Sequence, residues 1–258
     1  MSRDGQAPSY SRKKDPTSAR SKPSMLVVLT SRFDRIGVEL AKSWADHGAL
    51  LMTCEDLSRH GWKDHLKTSG SVNGRAVIAG QPVDFANIDG VLVRLPHVSE
   101  EELNHIVVAD RGYVAAEMTA YLASWLSRLA CPVLNRPTPT CLAGPPWPEE
   151  KWLRVAAQLG VRTRPAKRDS RSATPTSGCP ARSRHTVTVV GNQAYGDAGR
   201  DQLRGAVSLA LAAGVELLAA EFVESVLMSV NLWPTLESQE VRDAILHHLL
   251  TSKRAGGR

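Results

Sequence analysis

Arg94 closes the apolar run 90–95 (GVLVRL), so it stands at the carboxyl end of a strand. Open α/β sheets bind ligands in the crevice above such strand ends. The expected use of its charge is nevertheless an ion pair with Glu117 or Asp110. Asp34 follows the first apolar run, where a short carboxylate caps the helix that comes next. Lys151 lies on the first turn of a helix behind Glu149 and Glu150, the usual place of a solvated cation. His247 and His248 are adjacent on a helix, so their imidazoles diverge; one metal would need three- or four-residue spacing. Cys54, Cys131, Cys141 and Cys179 are spaced too irregularly for a zinc pattern or a disulfide framework. Cys54 has no activating His or Lys beside it and reads as a buried, inert thiol. No Ser–His–Asp set or carboxylate pair is legible.

The elements that must position these groups follow from the hydrophobic pattern. Residues 25–30 (MLVVLT) are a continuous, Val-rich apolar run, the mark of a parallel strand buried on both faces. Over 31–47, Ile36, Leu40 and Trp44 recur at helical spacing, and Gly48 ends the helix. Residues 50–53 give the next strand. No glycine-rich dinucleotide or P-loop motif accompanies this strand–helix–strand unit. Short strands follow at 76–78 and 90–95. A helix at 110–129 then sets Tyr113, Glu117, Tyr121 and Trp125 four apart, with the aromatics serving a core or an interface. A strand at 131–135 (CPVLN) and a helix at 149–159, acidic in its first turn and closed by Gly160, complete the first part. Beyond residue 185 the pattern predicts strands at 186–190 and 193–195 joined by a turn at Gly191 and Asn192. A helix at 201–213 closed by Gly214, a strand pair at 215–222 and 227–230, and a helix at 238–250 follow.

A chain of 258 residues, 42% hydrophobic and 22% charged, can bury a core in one or two domains and is neither fibrous nor wholly disordered. No apolar run reaches the roughly 18 residues of a membrane span. Residues 1–24 lack the apolar centre of a secretory signal, and the cysteine usage suits a reducing compartment, so a cytoplasmic location is expected. The formal charge of +6 sits in residues 1–24, 161–185 and 252–258, which leaves the remainder net acidic. These basic stretches are rich in Ser, Thr, Pro and Gly and are expected to be a disordered arm, a flexible linker and a tail. Nucleic-acid binding through phosphate contacts is one reading of them. The lack of interleaved aromatic residues for stacking bases favours a solubilising role.

Three segments, in order, resemble the ATP-grasp superfamily, particularly carboxylate–amine ligases of the ribosomal-protein glutamate ligase type. Residues 89–95 (DGVLVRL) with the helix bearing Tyr113, Glu117 and Ala120 are similar to the end of the family's pre-ATP-grasp domain. Residues 132–135 (PVLN), then Glu150 and Lys151, then Leu159, Gly160, Val161 and Pro165, resemble the passage into the ATP-binding domain. Residues 214–222 (GVELLAAEF), followed by Val230, Asn231 and Pro234, resemble the acidic strand and the closing E-x-N … P signature. The resemblance implies an open, mostly parallel α/β sheet at 25–160 and a smaller α+β lobe at 186–251. It implies Lys151, Arg94 and Asn231 as nucleotide-binding residues, and Glu221 with Asn231 as Mg²⁺ ligands, Glu237 being a more distant substitute.

The departures set the functional expectation. In the family a lysine-bearing strand, a glycine-rich phosphate-covering loop and an adenine-binding hinge lie between the second and third segments. Here that interval holds only the basic stretch 163–185. The carboxylate of the closing signature is also replaced by Ser229. Magnesium binds through one or two carboxylates together with phosphate oxygens, so both losses weaken a nucleotide site. The leading expectation is a degenerate, non-catalytic relative without a nucleotide cofactor, binding a protein or peptide partner in peptide or small-molecule maturation. The alternatives are an ATP- and Mg-dependent carboxylate–amine ligase completed by a partner or by homodimerisation, and a nucleic-acid-associated protein using the basic arms.

Overall fold

The structure, a computed structural model, describes residues 25–66, 72–165 and 184–252. The arm at 1–24, Cys179 with most of the basic stretch, and the tail from 253 onward lie outside the described residues. The chain runs β1 (Leu26–Leu29), α1 (Arg35–Ser43), β2 (Ala49–Met52), the single turn α2 (Cys54–Leu57), β3 (Lys63–Leu66), β4 (Val72–Ile78) and β5 (Gln81–Asp84). It continues through β6 (Gly90–Val93), α3 (Arg111–Arg128), β7 (Val133–Leu134) and α4 (Glu149–Gln158). The last part is β8 (Arg184–Val190), β9 (Gln193–Tyr195), α5 (Arg200–Ala213), β10 (Leu217–Val223), β11 (Val226–Asn231) and α6 (Gln239–Thr251).

The expected parallel sheet is present, in the order β2-β1-β6-β7. Every residue of β1 and β6 is buried, which is why both read as unbroken apolar runs. Val27, Leu29, Val91 and Val93 pack against Leu122, Trp125 and Leu126 of α3. On the other face Leu26, Val28 and Leu92 meet Leu40 and Ala41 of α1 and Ile245 and Leu249 of α6. The helix stops at Gly48 and Gly214 hold φ of 76° and 65°, left-handed values that favour glycine.

β3, β4 and β5 form a three-stranded antiparallel sheet in that order, of which the pattern indicated only 76–78. Lys63 and Asp64 in β3 and Gln81 and Asp84 in β5 carry no apolar alternation, so nothing in the sequence marks these strands.

The second antiparallel sheet has the order β11-β10-β8-β9. Val187, Val189, Leu218, Ala220 and Phe222 turn one face toward α5 and α4, where Ala206, Leu209, Trp152 and Leu153 complete a core. At one end of the opposite face, Val190 and Leu217 join the cluster shared by α1, α6 and β1. Buried Asn135 ties the sheets together: Nδ2 donates to the Leu217 carbonyl at 2.8 Å, and Oδ1 accepts from the amides of Glu216 and Leu217 at 3.0 and 2.8 Å. The ends of the basic stretch are hydrogen bonded. Leu227 N donates to Arg162 O at 2.8 Å, and Arg184 and His185 of β8 pair with Val223 and Phe222 of β10.

Candidate functional site

Side chains alternate across a strand, so the face of the second sheet away from α5 is fixed once Val187 and Val189 point inward. Two polar rows cross it. Thr186 of β8, Glu221 of β10 and Ser229 of β11 are in register, as are Thr188, Ala219 and Asn231. Tyr195 of β9 lies opposite Thr188. The segment from Pro234 to Val241 forms the facing wall, and between them opens a cleft of about 830 Å³.

The cleft is acidic. Among the described residues its lining holds Asp197, Glu221, Glu237 and Glu240 and no lysine or arginine. Glu221 is engaged within the fold: it accepts a hydrogen bond from Ser229 Oγ at 2.9 Å and pairs with Arg184, which enters from the first residue of β8. The register slips between Glu221 and Phe222, and Arg164 donates to the carbonyl of the unpaired Met228 at 3.3 Å. Asn231 closes the turn after β11, its Oδ1 accepting from Trp233 N at 2.8 Å and its Nδ2 donating to Trp233 O at 2.9 Å.

Arg94 stands at the strand end, as the sequence indicates, but neither Glu117 nor Asp110 is its partner. Its Nε lies 2.7 Å from Asp34 Oδ2, and its Nη1 donates to Pro234 O at 3.0 Å. The guanidinium is only 6% exposed, so it fastens the base of the cleft wall instead of facing solvent. The correction has a local cause. The end of β1 delivers Thr30 and Asp34 directly beside β6, and Thr30 Oγ1 donates to Asp34 Oδ2 at 2.7 Å. A Cβ on Gly37 would stand 2.6 Å from Thr30 Oγ1, so glycine is required for this approach. Asp34 occupies the N-cap position of α1, but its carboxylate serves Arg94 and Thr30 and makes no side-chain cap. Burial works to raise its pKa; the hydrogen bonds from Arg94 and Thr30 outweigh that and hold it below the ordinary carboxylate value.

Lys151 does not line the cleft. It stands on α4, in the helix layer behind the sheet, with Nζ 3.8 Å from the centroid of the Trp147 ring. The structure therefore gathers Glu221, Asn231 and Glu237 in one cleft, sets Arg94 behind its wall, and leaves Lys151 apart. Thr186, Thr188 and Tyr195 were not singled out in the sequence, although the alternation of TVTVV carries the signal for the two threonines.

Cys54 is fully buried, and burial, then the charge of Glu102, push its thiol up to about 12. Trp125 is core, whereas Tyr113 is 71% exposed. His248 lies 3.8 Å from Glu216. Among the described residues no group of three or more His, Cys, Asp or Glu is placed to hold a metal ion, and no helix is long and apolar enough to cross a membrane. Glu221 and Asn231 offer oxygen donors to a cation, whereas among the described residues the lining itself adds no lysine or arginine to meet a triphosphate.

No protein-family model matches the sequence, and no curated protein matches it. Solved structures are similar in fold. The macrocyclase MdnC from Microcystis aeruginosa, bound with precursor peptide MdnA, superposes with a TM-score of 0.62 at 12% identity, over 88% of this chain and 99% of that one. A Chryseobacterium gregarium RiPP-associated ATP-grasp ligase, in complex with ADP and a leader and core peptide, gives 0.61 at 12% identity, over 91% and 99%. The ATP-grasp ligase PsnB with a minimal precursor gives 0.59 at 11% identity, over 86% and 98%.

Proposed function

Because the chain has an ATP-grasp superfamily fold, we propose that it is a non-catalytic, peptide-binding accessory protein of peptide maturation, holding its peptide in the acidic cleft over the second sheet. One observation carries this reading: the two residues that the resemblance assigns to a metal site are engaged internally. Glu221 is held by Arg184 and Ser229, and Asn231 by Trp233. The acidic lining suits amine- or guanidinium-bearing peptide groups better than phosphates. The precursor peptides bound to MdnC, to the Chryseobacterium ligase and to PsnB support a peptide as the partner. Under this reading residues 25–160 and 186–251 are the two lobes, 161–185 links them, and the protein acts in the cytoplasm.

A second reading, an ATP- and Mg-dependent carboxylate–amine ligase completed by a partner or a second copy, is favoured by the meeting of Glu221 and Asn231 in one cleft. PsnB complexed with Mg and ADP supports it. Thermal unfolding with and without millimolar Mg–ATP separates the two. The accessory reading expects an unchanged melting temperature, and a clear rise overturns it.

A further inference from the structure

A second concavity, of about 430 Å³, is lined by Leu57, Trp62, Asp64, Glu117, Met118 and Tyr121, none of which belongs to the cleft. Its aromatic walls are fixed. Trp62 and Tyr121 meet edge to face with centroids 5.4 Å apart, Trp62 leans on buried Trp125 at 5.7 Å, and the Trp62 indole N–H donates to Asp56 O at 2.8 Å. Of its two carboxylates, Asp64 is neutralised by the fork of Arg128, whose Nη1 lies 2.9 Å from Oδ1 and whose Nη2 bonds Oδ2. Glu117, one turn before Tyr121 on α3, has no hydrogen-bond or ion-pair partner among the described residues. Burial, then the charge of Asp64, push the Tyr121 phenol up to about 12, so the hydroxyl stays neutral and Glu117 is the uncompensated charge.

Fixed aromatic rings, an apolar floor and one free carboxylate together select a group with an apolar stem and a cationic head. We propose that this pocket binds an arginine or lysine side chain presented by a peptide partner, its stem against Leu57 and Met118 and its head against the Trp62 and Tyr121 rings and the Glu117 carboxylate. The proposal does not rest on the reading of the cleft, since it uses different residues.

The test is a titration of the full chain with acetyl-Gly-Arg-Gly-amide, followed through the indole N–H resonance of Trp62, which is assigned from Trp62→Phe. Saturable movement of that resonance is expected, with the citrulline analogue leaving it in place. Glu117→Gln, at an exposed helical position where folding is preserved, weakens the arginine peptide by about fivefold, the scale of a partly exposed ion pair. A Trp62 resonance unmoved by the peptide overturns the proposal, and this includes the case in which a basic segment of the chain itself already fills the pocket. Equal affinity in Glu117→Gln overturns it as well. Glu221→Gln leaves the Trp62 titration unchanged, so failure of the cleft reading and failure of this one are read separately.

Discussion

Asp34 and Arg94, 60 residues apart in sequence, meet at 2.7 Å where the ends of two adjacent parallel strands converge, and Arg94 passes that anchorage on to the Pro234 carbonyl in the cleft wall. Both side chains are largely buried, so removing one strands the other's charge. Arg94→Ala is expected to lower stability by about 3 kcal/mol, the scale of breaking a buried pair. Urea denaturation reads this directly. Asp34→Asn combined with Arg94→Ala costs less than the sum of the single changes, because the two charges are lost together.

The same pair gives stability a pH dependence of known sign. The Asp34 carboxyl is held below its ordinary value of 3.8 in the folded chain, so the folded form favours the ionised state. Its contribution is fully present above that ordinary value and is lost as pH falls through the lower folded value. The difference in unfolding free energy between the protein and Asp34→Asn is expected to be flat from about pH 5 to 7 and to shrink below about pH 4. A difference that grows on acidification would contradict the pairing.

Ser229 faces Glu221 across the β10–β11 ladder, and its hydroxyl lies 2.9 Å from that carboxylate. Ser229→Glu puts like charges directly opposite each other, an arrangement that destabilises a strand pair by up to about 1 kcal/mol. A divalent cation relieves the repulsion. The variant is expected to melt lower than the parent without Mg²⁺ and to regain that loss in millimolar Mg²⁺, while the parent does not respond. Thermal unfolding in matched ionic strength checks both halves.

Lys151 provides the contrasting case. Its ammonium rests on the Trp147 ring, away from the cleft, so its removal touches packing and not binding. Lys151→Ala is expected to cost about 0.5–1 kcal/mol, the worth of a partly exposed cation–π contact. Peptide affinity at the cleft, measured by calorimetry, is unchanged under the accessory reading. A large loss of nucleotide or peptide binding would restore Lys151 to the site.

The parallel sheet was legible because burial on both faces leaves an unbroken apolar run, as in LVVL and GVLV. The helix ends at Gly48 and Gly214 were legible because left-handed backbone favours glycine. β3 and β5 were not, since their polar residues carry neither alternation nor apolar excess. The partner of Arg94 was missed for another reason. The sequence offers Glu117 or Asp110 of the following helix, whereas the true partner arrives after a neighbouring strand, through a register that periodicity does not report. Glu221 and Asn231 line one cleft, but their engagement by Arg184 and Trp233 depends on contacts that only the fold supplies.

Asn135 shows how the cleft sheet is held to the parallel sheet. Its amide is 2% exposed, and it satisfies three backbone groups at the entry to β10, two of them amides. An apolar replacement leaves the buried Leu217 amide and carbonyl without this partner, which costs far more than the net worth of the bonds themselves. Asn135→Ala is expected to destabilise the protein by about 3 kcal/mol or more, on the order of 1–3 kcal/mol for each orphaned group. Asn135→Asp keeps the acceptor for Glu216 and Leu217 but buries a charge and turns a lone pair toward the Leu217 carbonyl, so it is expected to be no better. Hydrogen exchange distinguishes this from a general loss of packing: the Glu216 and Leu217 amides lose protection first, ahead of the Val27 and Val28 amides in β1.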